Sequence, residues 1–245
     1  IEIITLNNPK NLNPLSEEIL ASFQQSLNEI AKTDSIKAVI IRAEGKAFCA
    51  GHDLKQMQLA RKEKDGGKKY FTELFKTCGK LMTTIKKLPQ PVIAEVNGLA
   101  SAAGSQLVAT CDLAIASNKA SFGVNGVNIG LFCSTPMVAL TRNVGRKKTF
   151  EMLVTGDFID AQVACKLGLI NRVVSEDDLQ AESLSLAEKI VSKLSVAVRI
   201  GKESFYKQAE MKIEEAYNYT AEVMTKNMLF KETDEGINAF IAKRK

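Results

Sequence analysis

The sequence predicts an α/β fold followed by a helical region, and three observations carry that reading. Short apolar runs bounded by turn residues, at 1–10, 37–45, 90–98 and 112–118, have the length and composition of strands. Stretches with apolar residues at helical spacing lie between them, so strand and helix alternate through the first half of the chain. From about Arg146 onward the pattern is nearly all helical.

The elements follow in order. "IEIITLNNPK" alternates and stops at Asn-Pro, which reads as a strand entering a turn. Ser16 then precedes Glu17 and Glu18, a helix N-terminus, with Ile19, Leu20, Phe23, Leu27 and Ile30 on one face. "KAVIIRAEG" is a buried strand ending in a turn. "GKKYFTELFKTCGKLMTTIKKL" is helical, with Phe71, Leu74, Phe75, Leu81 and Ile85 roughly in register. "QPVIAEVNG" is a strand, "GLASAAGSQLVATC" opens a short helix, and "DLAIASN" is a strand again. Three amphipathic segments close the chain, with Ala216, Tyr219, Val223, Met224 and Leu229 as an apolar stripe suited to self-association. No Gly/Ser linker separates the halves; residues 1–180 read as an α/β core and 181–245 as a helical C-terminal region.

Composition narrows the chemistry. The chain has 245 residues, with 33 basic against 28 acidic side chains, for a net charge of +5. That mild excess suits anionic small molecules and does not compel nucleic acid. Lys62, Lys64, Lys68, Lys69, Lys76, Lys80, Lys86 and Lys87 crowd one helix, which admits an RNA-binding reading beside that of a solvated face. RNA binding also needs stacking aromatics, and Tyr70 is the obvious one off the apolar face. One histidine, His52, is too little for a zinc site or a Ser–His–Asp triad. Five scattered cysteines with no C-x-x-C pair fit a reducing compartment. No apolar run reaches the ~18 residues of a membrane span. The first residue is Ile1, so a targeting peptide is not visible.

The run "GLASAAGSQLVATCDLAIAS" at 98–117 places small residues where a helix starts, without a Lys or Arg to hold a phosphate. Such a run lets something approach the backbone. Together with "KAFCAGHDLKQM" at 46–57 and "TGDFIDAQVACKLGLINRVV" at 155–174, it resembles the crotonase (enoyl-CoA hydratase/isomerase) superfamily. "NPKNLNPLS" and the closing "EGINAFIAKRK" extend the resemblance over essentially the whole chain.

The resemblance implies a crotonase-like ββα spiral core with a helical C-terminal trimerisation region. It implies an acyl-CoA thioester as substrate, coenzyme A as part of that substrate with no separate cofactor, and a homotrimer or dimer of trimers. It assigns an oxyanion hole to the backbone N–H groups of His52, after Ala50-Gly51, and of Ala103, before Gly104. Small residues up to Gly104 would let the thioester lie against the backbone, where a helix N-terminus adds partial positive charge. Coenzyme A would lie against Lys10, Asn11 and Leu12 and along Cys49, Ala50, Gly51 and Leu54, with Phe240 and Lys243 reaching its nucleotide, often across a subunit boundary.

The family's two hydratase glutamates are both replaced. The first position is Gln106 and the second is Gly126. An amide can hold a water but cannot take its proton, and glycine can do neither. His52 and Asp53 remain as non-standard candidates for proton handling, although Asp53 also reads as a helix cap. Glu95 would need an unusual orientation. Two readings follow: an enzyme of the hydratase/isomerase type with an unconventional base or only a bound water, and a pseudoenzyme that binds acyl-CoA. Glutamates restored at 106 and 126 are expected to confer hydration. The pattern looks like one branch of the family that is mitochondrial in animals, so the matrix is the expected location in a eukaryote and the cytoplasm otherwise.

Overall fold

The computed structural model describes residues 1–244. It opens with β1 (Glu2–Leu6), α1 (Glu17–Ile30), β2 (Val39–Ala43), β3 (Ala47–Cys49), α2 (Leu54–Ala60) and α3 (Lys68–Lys87). Then come β4 (Val92–Val96), β5 (Leu99–Ser101), α4 (Ala103–Thr110), β6 (Leu113–Ser117) and β7 (Ser121–Gly123). The chain continues through α5 (Pro136–Leu140), α6 (Arg146–Thr155), β8 (Phe158–Asp160), α7 (Ala161–Lys166) and β9 (Arg172–Val174). Four helices finish it: α8 (Leu179–Val191), α9 (Ser195–Gln208), α10 (Ile213–Met228) and α11 (Lys231–Ile241).

Two sheets organise these elements. One is five-stranded and all parallel, in the order β1-β2-β4-β6-β9. The other is four-stranded, in the order β3-β5-β7-β8, with only the β7–β8 pair antiparallel. Each of β2, β4 and β6 passes after a few residues into the strand that follows it in the second sheet, and helices carry the chain back. This is the ββα spiral, and it places consecutive turns in register. Apolar residues of α1, α3 and α4 fill the interior with those of both sheets, including Leu27, Ile41, Phe48, Leu81, Leu107 and Phe122. Ser16 caps α1 as its sequence implies, accepting from the Ile19 N–H at 3.3 Å.

The structure departs from the sequence reading in three places. Strands β8 and β9 lie beyond Arg146, in the stretch that reads as nearly all helical; at three residues each they show no period of two. Helix α8 lies on β2, β4 and β6, with Ala187 packed on Ala38, Ile40 and Ile93. A boundary at 180 therefore falls within the first turn of a helix that covers the five-stranded sheet. The stripe on α10 divides: Ala216, Tyr219 and Val223 are half-buried, while Met224 stays 64% exposed. The outward apolar face is instead Ile213, Tyr217, Met224 and Met228.

A buried ion pair fastens α9 to the spiral. Lys202 Nζ, on a side chain only 6% exposed, sits 2.6 Å from Asp112 Oδ2 and donates to the Ile85 and Gln90 carbonyls at 3.0 and 2.9 Å. Asp112 also accepts from the Val92 N–H at 2.7 Å and the Tyr206 hydroxyl at 2.8 Å. Burial pulls the Lys202 pKa down, and the Asp112 carboxylate opposes that pull. One lysine thus joins the end of α3, the approach to β4 and the approach to β6. Lys202→Met leaves Asp112 half-partnered in a buried place and is expected to lower unfolding free energy by about 3–5 kcal/mol in urea titrations. A loss below about 1 kcal/mol would show that α9 is held by apolar contact alone.

Candidate functional site

The site forms where α4 begins against the end of β3. Gly104 lies so close to this strand that a Cβ would overlap the Cys49 carbonyl. The small residues around it are therefore a packing requirement of the fold before they are anything else. Ser105, fully buried, ties the same turn down: its hydroxyl lies 2.8 Å from the Ala100 carbonyl and 3.0 Å from that of Gly123. Ala102 donates to the Gly123 carbonyl at 2.8 Å and adopts φ +49° and ψ −112°. A non-glycine residue held there carries strain on the order of 1–3 kcal/mol. That turn sets the direction of the Ala103 N–H.

Facing it is the turn after β3. Gly51 has φ +96°, and a Cβ there would stand 3.5 Å from Ala103 N and 3.1 Å from the Ser101 carbonyl. The chain at 51–52 therefore runs against 101–103. Among the described residues, no protein acceptor takes the N–H of His52 or of Ala103. Two donors on adjoining backbone turns are left free, in a region where Cys49, Gly51 and Ala103 are all buried.

The segment after β1 reaches the same place. Ala50 donates to the Leu12 carbonyl at 3.0 Å and Leu15 to the Gly51 carbonyl at 2.7 Å. Leu12 and Asn13 take left-handed conformations, and the buried Asn13 amide donates to the Glu44 and Ala47 carbonyls. Lys10, Asn11 and Leu12 are thereby brought beside Ala50 and Gly51, with Lys10, Asn11 and Leu54 exposed to solvent. Phe240 and Lys243 are exposed on or just beyond α11, Phe240 at 84%, and no hydrogen bond or ion pair among the described residues ties them to this cluster.

The candidate proton carriers do not converge. The His52 ring packs edge-on against Phe75 of α3, 5.7 Å between centroids, with Nδ1 3.4 Å from the Leu15 carbonyl and Nε2 buried without a partner. Burial depresses its pKa, so the imidazole is neutral at pH 7 and a weak proton acceptor. Asp53 caps α2, accepting from the Lys55 and Gln56 N–H groups at 2.8 and 3.3 Å. Glu95 is buried beside Arg42 and Ser183, turned toward α8, with burial raising its pKa. The Cys49 thiol, fully buried, is pushed up to about 12 and supplies no thiolate.

Gln106 is 4% exposed, with Oε1 buried and unpartnered. Gly126 is hemmed in: a Cβ there would overlap the Leu131 carbonyl and stand 2.9 Å from Cys133 Sγ. The segment 126–133 folds onto the place where a second acid would stand, so the expectation that a glutamate can be restored at 126 fails on geometry. The lysine cluster also loses its stacking partner. Tyr70 packs partly buried on the core, edge-on to Phe71, and Lys86 holds its ammonium 4.7 Å over the Tyr206 ring.

Sequence reasoning missed a cavity of about 1020 Å³ that opens one helical turn beyond the paired N–H groups. Phe75 touches His52, and Gly79, one turn later on α3, lines the cavity. Ala103 begins α4, and Gln106 and Thr110 of the same helix line the cavity too. Its other walls come from α5, α9 and the end of α10. Segments about 150 residues apart meet there, and no single stretch of sequence announces the cavity.

The family model described as enoyl-CoA hydratase/isomerase matches residues 1–245. The human "Enoyl-CoA hydratase domain-containing protein 3, mitochondrial" is 48% identical over 245 residues, covering 100% of this chain and 79% of that protein. Its crystal structure superposes with a TM-score of 0.94 over 99% of this chain and 94% of the other. An enoyl-CoA hydratase structure from Mycobacterium smegmatis gives a TM-score of 0.94 at 49% identity, covering 99% and 93%. One from Bacillus anthracis gives 0.92 at 30% identity, covering 99% and 92%. With its spiral of two sheets, its free N–H pair and a family match along the full chain, this protein belongs to the crotonase, or enoyl-CoA hydratase/isomerase, family.

Proposed function

We propose that this protein binds an acyl-CoA thioester and polarises its carbonyl between the N–H groups of His52 and Ala103. The observation that carries the reading is the pair of unpartnered backbone donors on adjoining turns, one of them at the N-terminus of α4. Two such donors in a water-poor site stabilise an oxyanion by about 3 kcal/mol each, which favours an enolate form of the thioester. Lys10, Asn11 and Leu12 together with Cys49, Ala50, Gly51 and Leu54 form the surface offered to coenzyme A. Gly104 sets the floor under the thioester. His52 acts through its backbone, and Asp53 orients α2.

Water addition by the two-acid route is not part of this function. Gln106 can orient a water but cannot ionise it, and the Gly126 position is filled by backbone. A protein that retains the donors and lacks both carboxylates polarises its ligand with little or no hydration.

Assembly into a trimer or dimer of trimers completes the proposal. Its support is the outward apolar face of α10, where Ile213 is 77%, Tyr217 72% and Met224 64% exposed, too much for an isolated helix in water. Phe240 and Lys243 would then meet the nucleotide of a neighbouring subunit. The mitochondrial address in the human and rat relatives' names supports a matrix location for a eukaryotic form.

Three measurements test these statements. Calorimetric titration with crotonyl-CoA is expected to show binding that Ala103→Val weakens at least about tenfold, because two added methyl groups meet a closely packed backbone. Ala103→Gly, which keeps the N–H and adds no bulk, is expected to bind like the parent. Loss of enoyl absorbance should run about 10²–10⁴ slower than in a two-glutamate hydratase. Equal binding by a folded Ala103→Val would place the thioester elsewhere, and rapid hydration would return a base to the site. Light scattering at micromolar concentration should give a trimer or its multiple, reduced by Met224→Glu; a monomeric parent would contradict the assembly.

A further inference from the structure

The cavity beyond Gln106 has a chemistry that the thioester site does not explain. Its walls are apolar over much of their surface, from Met82, Leu88, Val138, Val196, Ile200 and Phe230. Seven cationic side chains line it against two carboxylates, Glu203 and Glu210. Three of the cations are already neutralised: Arg142 by Glu210 at 3.6 Å, Arg199 by Asp34 at 2.7 Å and Lys202 by Asp112. That leaves Lys86, Lys87, Lys207 and Lys226, none of which has a carboxylate within ion-pairing distance among the described residues. Only Glu203 remains to balance four ammonium groups.

Position adds direction. The N–H pair stands at the head of α4 and beside Phe75 of α3, while Gly79, Met82 and Lys86 follow along the same face of α3. From Gly79 to Lys86 the helix advances roughly 10 Å at 1.5 Å per residue. Carbon–carbon bonds of about 1.5 Å advance an extended chain by about 1.25 Å each, so a chain of about eight or nine carbons spans that distance. Lys86 is held at the far end by the Tyr206 ring, itself part of the cavity wall, so its charge is kept at the rim. An occupant that enters at the thioester therefore passes apolar walls first and meets ammonium groups last.

We propose that this cavity takes the acyl tail of the thioester and that Lys86 and Lys226 at its rim select a tail ending in a carboxylate. The inference rests on the thioester reading above and assigns its substrate class: medium-length acyl-CoA with an anionic far end. A carboxylate there gains charge-assisted hydrogen bonds that a methyl end cannot make. A methyl end would leave the ammonium groups at the rim without an anion.

The test compares acetyl-CoA, octanoyl-CoA and suberyl-CoA, the last being the eight-carbon chain closed by a carboxylate. Coenzyme A is common to all three, so ratios of dissociation constants isolate the tail. Suberyl-CoA is expected to bind at least about tenfold more tightly than octanoyl-CoA at low salt. The ratio should fall toward one near 1 M salt, where screening reaches about 3 Å. It should fall likewise in Lys86→Met/Lys226→Met. Should that variant fail to fold, the salt series on the parent decides alone. Acetyl-CoA binding with no preference for suberyl-CoA over octanoyl-CoA would overturn this inference and leave the thioester reading standing. Absence of acetyl-CoA binding would overturn both.

Discussion

The contact between Gly104 and the Cys49 carbonyl is the constraint on which the site depends. Helix α4 can begin where it does only because no side chain separates its first turn from β3. That approach seats Ala103 beside Gly51 and leaves its N–H and that of His52 free on neighbouring turns. A larger residue at 104 would push the helix off the strand and separate the two donors, even if both sheets survived. Ser105 and the strained Ala102 hold the same junction from the other side. Packing and chemistry are thus met by one set of small residues.

The same economy explains why the donors face little competing chemistry. Each candidate proton carrier near them has another occupation or is kept neutral. Asp53 is committed to the cap of α2, Glu95 faces α8, and burial holds the His52 imidazole and the Cys49 thiol in their neutral forms. The fold of 126–133 then closes the remaining place for an acid. In the function proposed above, electrostatic stabilisation is retained while proton transfer has no carrier, a division that separates binding and polarisation from hydration. Lys202 matters at a distance, because it fixes α9 and with it one wall of the cavity beyond Gln106.

Much of this was legible in the sequence where the signal is local. Ser16 and Asp53 announce the helices they cap, and the long apolar runs of β2, β4 and β6 identify the strands buried on both faces. The run from Gly98 to Gly104 reads as a place of close backbone approach, and that is what it is. Three-residue strands such as β8 and β9 carry too few residues for any period, so their sheet partners decide them. The obstruction at Gly126 was not legible, because the carbonyl that blocks it belongs to Leu131 and arrives only through the fold of the loop. The cavity was hidden for the same reason on a larger scale: its walls share no sequence neighbourhood. The division of α10 into two faces depended on how α9 and α10 pack, which the helix period alone does not state.

The central claim is that backbone donors grip the thioester oxygen, and vibrational spectroscopy reads that contact directly. Crotonyl-CoA labelled with ¹³C at the thioester carbonyl gives an isotope-shifted stretch that difference infrared spectra resolve from protein amides. Two hydrogen bonds in a water-poor site predict a bound stretch at lower frequency than in water, with the band narrowed by a single environment. A bound carbonyl that keeps its aqueous frequency and width would contradict the assignment of His52 and Ala103 as its donors.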